Sequence, residues 1–289
     1  GCEIMGGTDV GFAAAVAAAA ASDVAVMTLG GNCGWSGTTG GEGKDRQSLG
    51  LPGLQQQLLE AVAATGRDIV LILYGPGPYA PTMPANVKAV VYAGLPGAHG
   101  GRAMADILRG RVNPSAKLSL TVPRNAGQIP IFHYHKPASG YNQVEGSGAG
   151  FASAIFSGGY TDGLSTPLYP FGHGLSYTTF KLDHFQADVT QVPTDGTIEL
   201  SCTVTNTGSQ TGAEVVQIYY RDMEAHVTRP VKQLCGFRKV WLQPGESREV
   251  RFMIRTAQLG FYNEDMDFAV EPGQMQFMLG SSSEAIVSK

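Results

Sequence analysis

The sequence predicts two folded regions of different class, an α/β sandwich on a mostly parallel sheet followed by an all-β sandwich of antiparallel strands. Three observations predict this. Apolar runs of strand length alternate with helical stretches over residues 11–123, the pattern of a parallel sheet whose crossovers are helices. A segment rich in Gly, Pro, Ser and Tyr follows over about 124–177, with little periodicity. From Thr178 onward, short runs alternate apolar and polar residues and are separated by turn residues.

The elements follow in order. Residues 12–21 suit a helix that stops at Ser22-Asp23, and residues 24–29 form an apolar run ending at Gly30-Gly31, as a buried parallel strand reads. Pro52-Gly53 opens a helix whose Leu54, Leu58, Leu59 and Val62 share one face. Residues 69–73 and 88–92 read as the next strands. A helix with Met104, Ile107 and Leu108 follows, then a strand over 117–122. Such a sheet is expected to be covered on both faces, with reactive loops beyond the carboxyl ends of its strands. The glycine-rich loop over 30–43 stands at such an end. Residues 124–177 read as a long ordered connector, a length seldom left structureless unless it wraps a surface or carries function. Beyond it, strands are expected at 198–204, 214–220, 249–254 and 274–279. Asn206-Thr207-Gly208, Pro244-Gly245 and Pro272-Gly273 supply the turns. That spacing fits a fibronectin type III or immunoglobulin-like sandwich. The expected boundaries are 1–136 for the α/β domain, 137–177 for the connector and 178–289 for the sandwich.

A chain of 289 residues with 43% hydrophobic content can bury a core in each half. Its formal net charge of -4 gives no basic face for nucleic acid. No apolar run reaches the ~20 residues a membrane helix needs. Cys2, Cys33, Cys202 and Cys235 show no C-x-x-C pairing; Cys202 and Cys235 read equally as a pair or as free thiols, and the compartment stays open. The sequence opens at Gly1 without a start methionine or a signal-peptide pattern. A fragment, a processed product or one part of a larger assembly is expected.

The most informative stretch is Trp35-Ser36-Gly37-Thr38-Thr39-Gly40-Gly41-Glu42-Gly43-Lys44-Asp45-Arg46. Glycines on both sides leave the Glu42 carboxyl group free to approach a ligand closely. A phosphate cradle fails on spacing, because a P-loop needs Gly at 38 and Ser or Thr after Lys44, where this chain has Thr38 and Asp45. Gly34-Trp35-Ser36-Gly37 lacks the nucleophile elbow of a serine hydrolase. His133 and His135 make half of a zinc site, but no third ligand is identifiable, so no metal is expected. His173, between two glycines, reads as a hydrogen-bonding connector residue.

The blocks Gly41-Glu42-Gly43-Lys44-Asp45-Arg46, Leu49-Gly50-Leu51-Pro52-Gly53 with Gln55, Tyr92-Ala93-Gly94-Leu95-Pro96-Gly97, Asn113-Pro114-Ser115-Ala116-Lys117-Leu118 and Pro170-Phe171-Gly172-His173-Gly174-Leu175-Ser176-Tyr177 occur in this order. Val215-Val216-Gln217 and Glu271-Pro272-Gly273 continue the series. Together they resemble the family 3 glycoside hydrolases over nearly the full length. The resemblance implies a retaining, exo-acting β-glycosidase, with β-glucosidase the leading activity. A β-xylosidase of the same family, or a non-catalytic carbohydrate-binding or scaffolding module, is the alternative. It implies that Glu42 is the general acid/base, and that a TIM-barrel domain or chain carries the aspartate nucleophile. Trp35, Asp45 and Arg46 are the expected substrate-side residues. Trp35 reads equally as an aromatic platform for a sugar or as an anchor for its loop. The readier role for Asp45 and Arg46 is an ion pair or hydrogen bonds that shape the loop. No eight-fold strand–helix pattern is present, so a barrel cannot be built from these residues, and by itself the polypeptide is expected to be inactive. The expected partners are that barrel and a β-linked oligosaccharide or glycoside, with neither nucleic acid nor membrane among them. The chain departs from the family at Tyr74-Gly75-Pro76-Gly77-Pro78, where many members carry Asn-Gly-Arg-Pro-Leu.

Overall fold

The computed structural model describes residues 9–33, 39–40, 45–137, 160 and 162–289. Packing divides the chain into two compact units. One holds the residues up to Leu108 together with Val122–Ile129, and the other holds Arg109–Thr121 together with Pro130–Lys289.

The first unit contains α1 (Phe12–Ala20), β1 (Val24–Gly30), α2 (Gln55–Ala63), β2 (Asp68–Tyr74), β3 (Val87–Gly94) and α3 (Gly100–Leu108). Its sheet has the order β1-β2-β3 and every pairing is parallel, as the strand–helix alternation requires. Ala25, Met27 and Leu29 lie level with Ile69, Leu71 and Leu73. Because strand side chains alternate, these residues share one face. Against them pack Phe12, Ala15, Val16 and Ala19 of α1 and Leu58, Leu59 and Val62 of α2, positions that recur on one side of a helix. Leu59, Ile69 and Leu71 are fully buried, each removal from water contributing about 1.5–3 kcal/mol. The opposite face is covered unevenly among the described residues: Ile72 is buried, whereas Val24 and Val26 are half exposed.

The second unit is antiparallel. Its strands are β4 (Phe180–Ala187), β5 (Thr197–Asn206), β6 (Gly212–Asp222), β7 (Gln233–Leu242), β8 (Ser247–Arg255), β9 (Phe261–Tyr262), β10 (Phe268–Ala269), β11 (Met275–Gly280) and β12 (Ile286–Ser288). One sheet has the order β12-β11-β6-β7 and the other β4-β5-β8, while β9 and β10 pair with each other. The core between the sheets alternates along its strands: Ile198, Leu200, Cys202 and Val204 from β5 meet Val216, Ile218 and Tyr220 from β6 and Val250, Phe252 and Ile254 from β8. Cys202 and Cys235 are free thiols. Burial pushes them up to about 11 and about 12 respectively, so both stay protonated and inert at neutral pH.

Strand β6 is buried on both faces, and the connector is the reason. Gln217 donates through Nε2 to the carbonyls of Gly172 (3.1 Å) and Ser281 (2.7 Å), and Tyr219 donates its hydroxyl to Gln217 Oε1 at 2.5 Å. Ser283 N–H donates to the Phe171 carbonyl. Lys117 Nζ reaches Glu214 Oε1 at 2.8 Å, with both side chains nearly buried, and also donates to the Gly174 carbonyl at 2.7 Å.

The strand expected at 117–122 does not form a ladder. Leu118 instead exchanges hydrogen bonds with Gly172 and His173, donating to the His173 carbonyl and accepting from Gly172 N–H, both at 2.8 Å. Alternating Leu118, Leu120 and Val122 imitate a strand, but Leu120 is exposed, and the backbone needs of Leu118 are met by the connector.

Candidate active site at the carboxyl end of the parallel sheet

The three parallel strands end at Gly30, Tyr74 and Gly94, and their exits are stitched together. Gly31 N–H donates to the Tyr74 carbonyl (2.8 Å), and Gly75 N–H donates to the Gly94 carbonyl (3.0 Å). Gly30 sits at φ +126°, where only glycine is at ease. A Cβ there would lie 1.8 Å from the Tyr74 carbonyl oxygen, and one at Gly31 would lie 2.0 Å from Thr39 Oγ1. The absence of side chains lets the chain turn directly over the end of β2.

Gln55, at the first position of α2, holds this turn from below. Its Oε1 accepts from Gly30 N–H and its Nε2 donates to the Gly30 carbonyl, each at 2.7 Å. Further along, Asn32 and Thr39 bond reciprocally. Asn32 N–H donates to Thr39 Oγ1 (2.9 Å), the Thr39 hydroxyl donates to the Asn32 carbonyl (3.0 Å), and Thr39 N–H donates to Asn32 Oδ1 (3.1 Å). Tyr79 is buried beneath them, its side-chain oxygen without a hydrogen bond of good geometry among the described residues. Burial raises its pKa, while the neighbouring Thr39 hydroxyl, the Arg46 charge and the Gly31 backbone oppose that rise. Tyr92 ties the same segment down by donating its hydroxyl to the Tyr79 carbonyl at 2.5 Å.

Of the residues expected at the site, Glu42 and Trp35 lie outside the described residues. Asp45 and Arg46 are described and exposed, and they form no ion pair with each other among the described residues. Arg46 donates from Nη2 to the Gly50 carbonyl (2.8 Å) and from Nε to the Ser48 carbonyl (3.3 Å), and its guanidinium carbon stands 6.0 Å from the centre of the Tyr79 ring. These bonds shape the turn over 46–50.

His133, His135 and His173 belong to the second unit. His133 stacks on Phe171 with ring centres 4.1 Å apart and meets Tyr219 edge-on. Burial first, then the charges of Lys232 and His135, lowers it to about 4. His135 Nδ1 lies 3.1 Å from the Lys136 carbonyl. His173 stacks on Tyr169 and its pKa is lowered, by burial and then by Lys117. No group of three or more His, Cys, Asp or Glu among the described residues is arranged to hold a metal, and none of the described helices is long and apolar enough to cross a membrane.

Sequence reasoning missed Asn32, Thr39 and Tyr79, and quoted Gln55 only as a letter in a motif. A signal existed for Gln55: it occupies the apolar stripe of Leu58, Leu59 and Val62, where a buried amide demands partners. For Thr39 the signal was fainter, a β-branched hydroxyl among glycines.

Comparison with known proteins adds the following. Residues 5–177 match the model of the glycosyl hydrolase family 3 C-terminal domain, and residues 214–283 match that of the fibronectin type III-like domain. A β-xylosidase of Formosa agariphila is 38% identical over 286 residues, covering 99% of this chain and 37% of the relative. The periplasmic β-glucosidase of Salmonella typhimurium is 37% identical over 274 residues, covering 94% of this chain and 34% of the relative. The solved β-glucosidase of Listeria innocua in complex with glucose superposes with a TM-score of 0.88 at 32% identity, covering 99% of this chain and 38% of that one. The chain therefore spans a little over a third of the length of these relatives.

Proposed function

This chain belongs to glycosyl hydrolase family 3, and from that premise we propose that it is the part of a retaining, exo-acting β-glycosidase that supplies the general acid/base, Glu42. A TIM-barrel domain or chain completes the active site with the aspartate nucleophile, and the polypeptide alone is inactive. The observation that carries this reading is the turn after β1. Glu42 stands in sequence between Thr39 and Arg46, both tethered, in the segment that leaves the carboxyl end of the first parallel strand. In sheets of this type, reactive loops emerge at that end.

The chemistry asks for two carboxyl groups ~5–5.5 Å apart. The aspartate attacks the anomeric carbon while Glu42 gives its proton to the departing glycosidic oxygen, leaving a glycosyl ester on the aspartate. Glu42, now a carboxylate, takes a proton from a water molecule as that water breaks the ester, and both groups return to their starting state. The first step needs a protonated carboxyl group at neutral pH. Exclusion of water on substrate binding and the negative charge of the aspartate favour that form. Trp35, Asp45 and Arg46, from the same stretch of sequence, are the substrate-binding residues of this proposal.

The test is Glu42→Ala in the complete enzyme. Hydrolysis of an alkyl β-glycoside should fall by roughly 10²–10⁴-fold, and azide should restore turnover of a 2,4-dinitrophenyl glycoside, whose departure needs no proton, by intercepting the glycosyl ester as a glycosyl azide. Unchanged alkyl glycoside hydrolysis overturns the assignment. β-Glucosides are the leading substrates. A β-xylosidase reading is favoured by the relative at 38% identity, and a panel of nitrophenyl glycosides separates the two.

A further inference from the structure

Gln55, Asn32 and Thr39 are engaged far more fully than a surface loop requires. Gln55 is 5% exposed and Thr39 6% exposed. A buried amide or hydroxyl costs free energy unless every polar atom finds a partner. At Gln55, both amide atoms are spent on one residue, Gly30. The rest of the stripe on α2 is leucine and valine, so packing alone would be served by Leu or Met. The polar choice fixes the backbone of Gly30, the residue at which β1 gives way to the turn. At the neck of the turn, the Thr39 hydroxyl both accepts from and donates to the backbone of Asn32, and the Asn32 side chain returns a bond to Thr39 N–H. The two residues form a closed ring at the point where the chain enters and leaves the segment between them.

We infer that Gln55, Asn32 and Thr39 are positioning residues for the general acid/base, setting the point and direction from which the segment bearing Glu42 departs. This rests on the assignment of Glu42 given above. Proton transfer in the transition state depends on placement to a fraction of an ångström, and a misplacement of about 1 Å costs on the order of 100-fold. A clip that fixes the start of a glycine-rich segment therefore acts on the proton-transfer step, and the attack of the nucleophile is left alone.

The experiment uses the complete enzyme and compares kcat/KM for two substrates. A 2,4-dinitrophenyl glycoside loses its phenolate without a proton, whereas an alkyl glycoside needs one. Thr39→Val keeps the shape and deletes both hydroxyl bonds. It should lower the alkyl value by roughly 10- to 100-fold while the dinitrophenyl value stays nearly constant, and azide should accelerate its turnover of the dinitrophenyl substrate. Thr39→Ser, which keeps the hydroxyl, should restore the alkyl value. Gln55→Met is the second variant should Thr39→Val fold poorly, and the same divergence between substrates is expected of it. Equal losses on both substrates, matching the fraction of folded enzyme, overturn the inference. If Glu42→Ala itself shows no dependence on the leaving group, the assignment of Glu42 is what fails. If Glu42→Ala shows it and the clip variants do not, the positioning role alone fails.

Discussion

The turn after β1 and the outer face of β6 use the same device, a buried glutamine amide that joins backbone segments distant in sequence. Gln55 grips Gly30 through both amide atoms, and Gln217 bridges the carbonyls of Gly172 and Ser281 while accepting from Tyr219. They differ in what surrounds them. Around Gln217 the connector is held several more times, by Lys117 on Glu214 and Gly174, by Ser283 on Phe171 and by the paired backbone of Leu118. Around Gln55 the bonds described converge on Gly30, Asn32 and Thr39, the residues that flank the start of the turn. The first region is redundant and its losses should appear as stability. The second leads in sequence to Glu42 and its losses should appear in the chemistry.

Three measurements break or sharpen that contrast. Lys117→Met strands the Glu214 carboxylate in a nearly buried position, and breaking a buried pair in this way costs about 3–5 kcal/mol. Denaturant unfolding should show that loss, with the specific activity of the folded fraction of the complete enzyme unchanged. A drop in specific activity would break the contrast.

The pH dependence of stability comes next. His133 is held at about 4 in the folded chain against an ordinary value near 6.5, so between these values the unfolded chain binds more protons than the folded one. Stability is fully present above about pH 6.5 and declines as the pH falls towards 4, by up to about 3 kcal/mol before allowance for partial solvent screening. His133→Phe keeps a ring against Phe171 and should flatten that slope in pH-dependent unfolding. An unchanged slope would assign the acid sensitivity to other groups.

A smaller effect per group is expected from Gln217→Leu, which takes one partner from the Tyr219 hydroxyl and one from each of two carbonyls and should cost about 1–3 kcal/mol for each group left buried and unpaired. Gln55→Met should cost a similar amount in unfolding experiments, but only the Gln55 variant should lose proton-dependent activity.

Most of the architecture was legible because burial writes a period into the sequence. The helix face of Leu58, Leu59 and Val62 and the alternation of β5 and β8 were read directly, and both correspond to the buried clusters. The sandwich strands β4 and β7 escaped notice for the opposite reason. Their burial is irregular, unlike that of β8, and Phe237, Arg238 and Lys239 of β7 are consecutive exposed residues with no inward–outward rhythm. The segment 117–122 has the rhythm without the ladder, since the partners of Leu118 come from a part of the chain more than fifty residues away. At the candidate site, the sequence displayed the glycine-flanked Glu42 but not the clip. The bonds of Gln55 exist only once α2 is laid against the end of β1, and those of Thr39 only once the segment closes on Asn32.

The way the two units share the polypeptide has a consequence for how the protein is made and cut. Their border falls at 108/109, at 121/122 and again at 129/130, so the chain crosses it three times. No single scission by a protease can release both units whole, because one of them always leaves a piece with the other. On the ribosome, the final segment of the first unit emerges only after a segment of the second has already been synthesised. The first unit is therefore complete only once part of the second has been made.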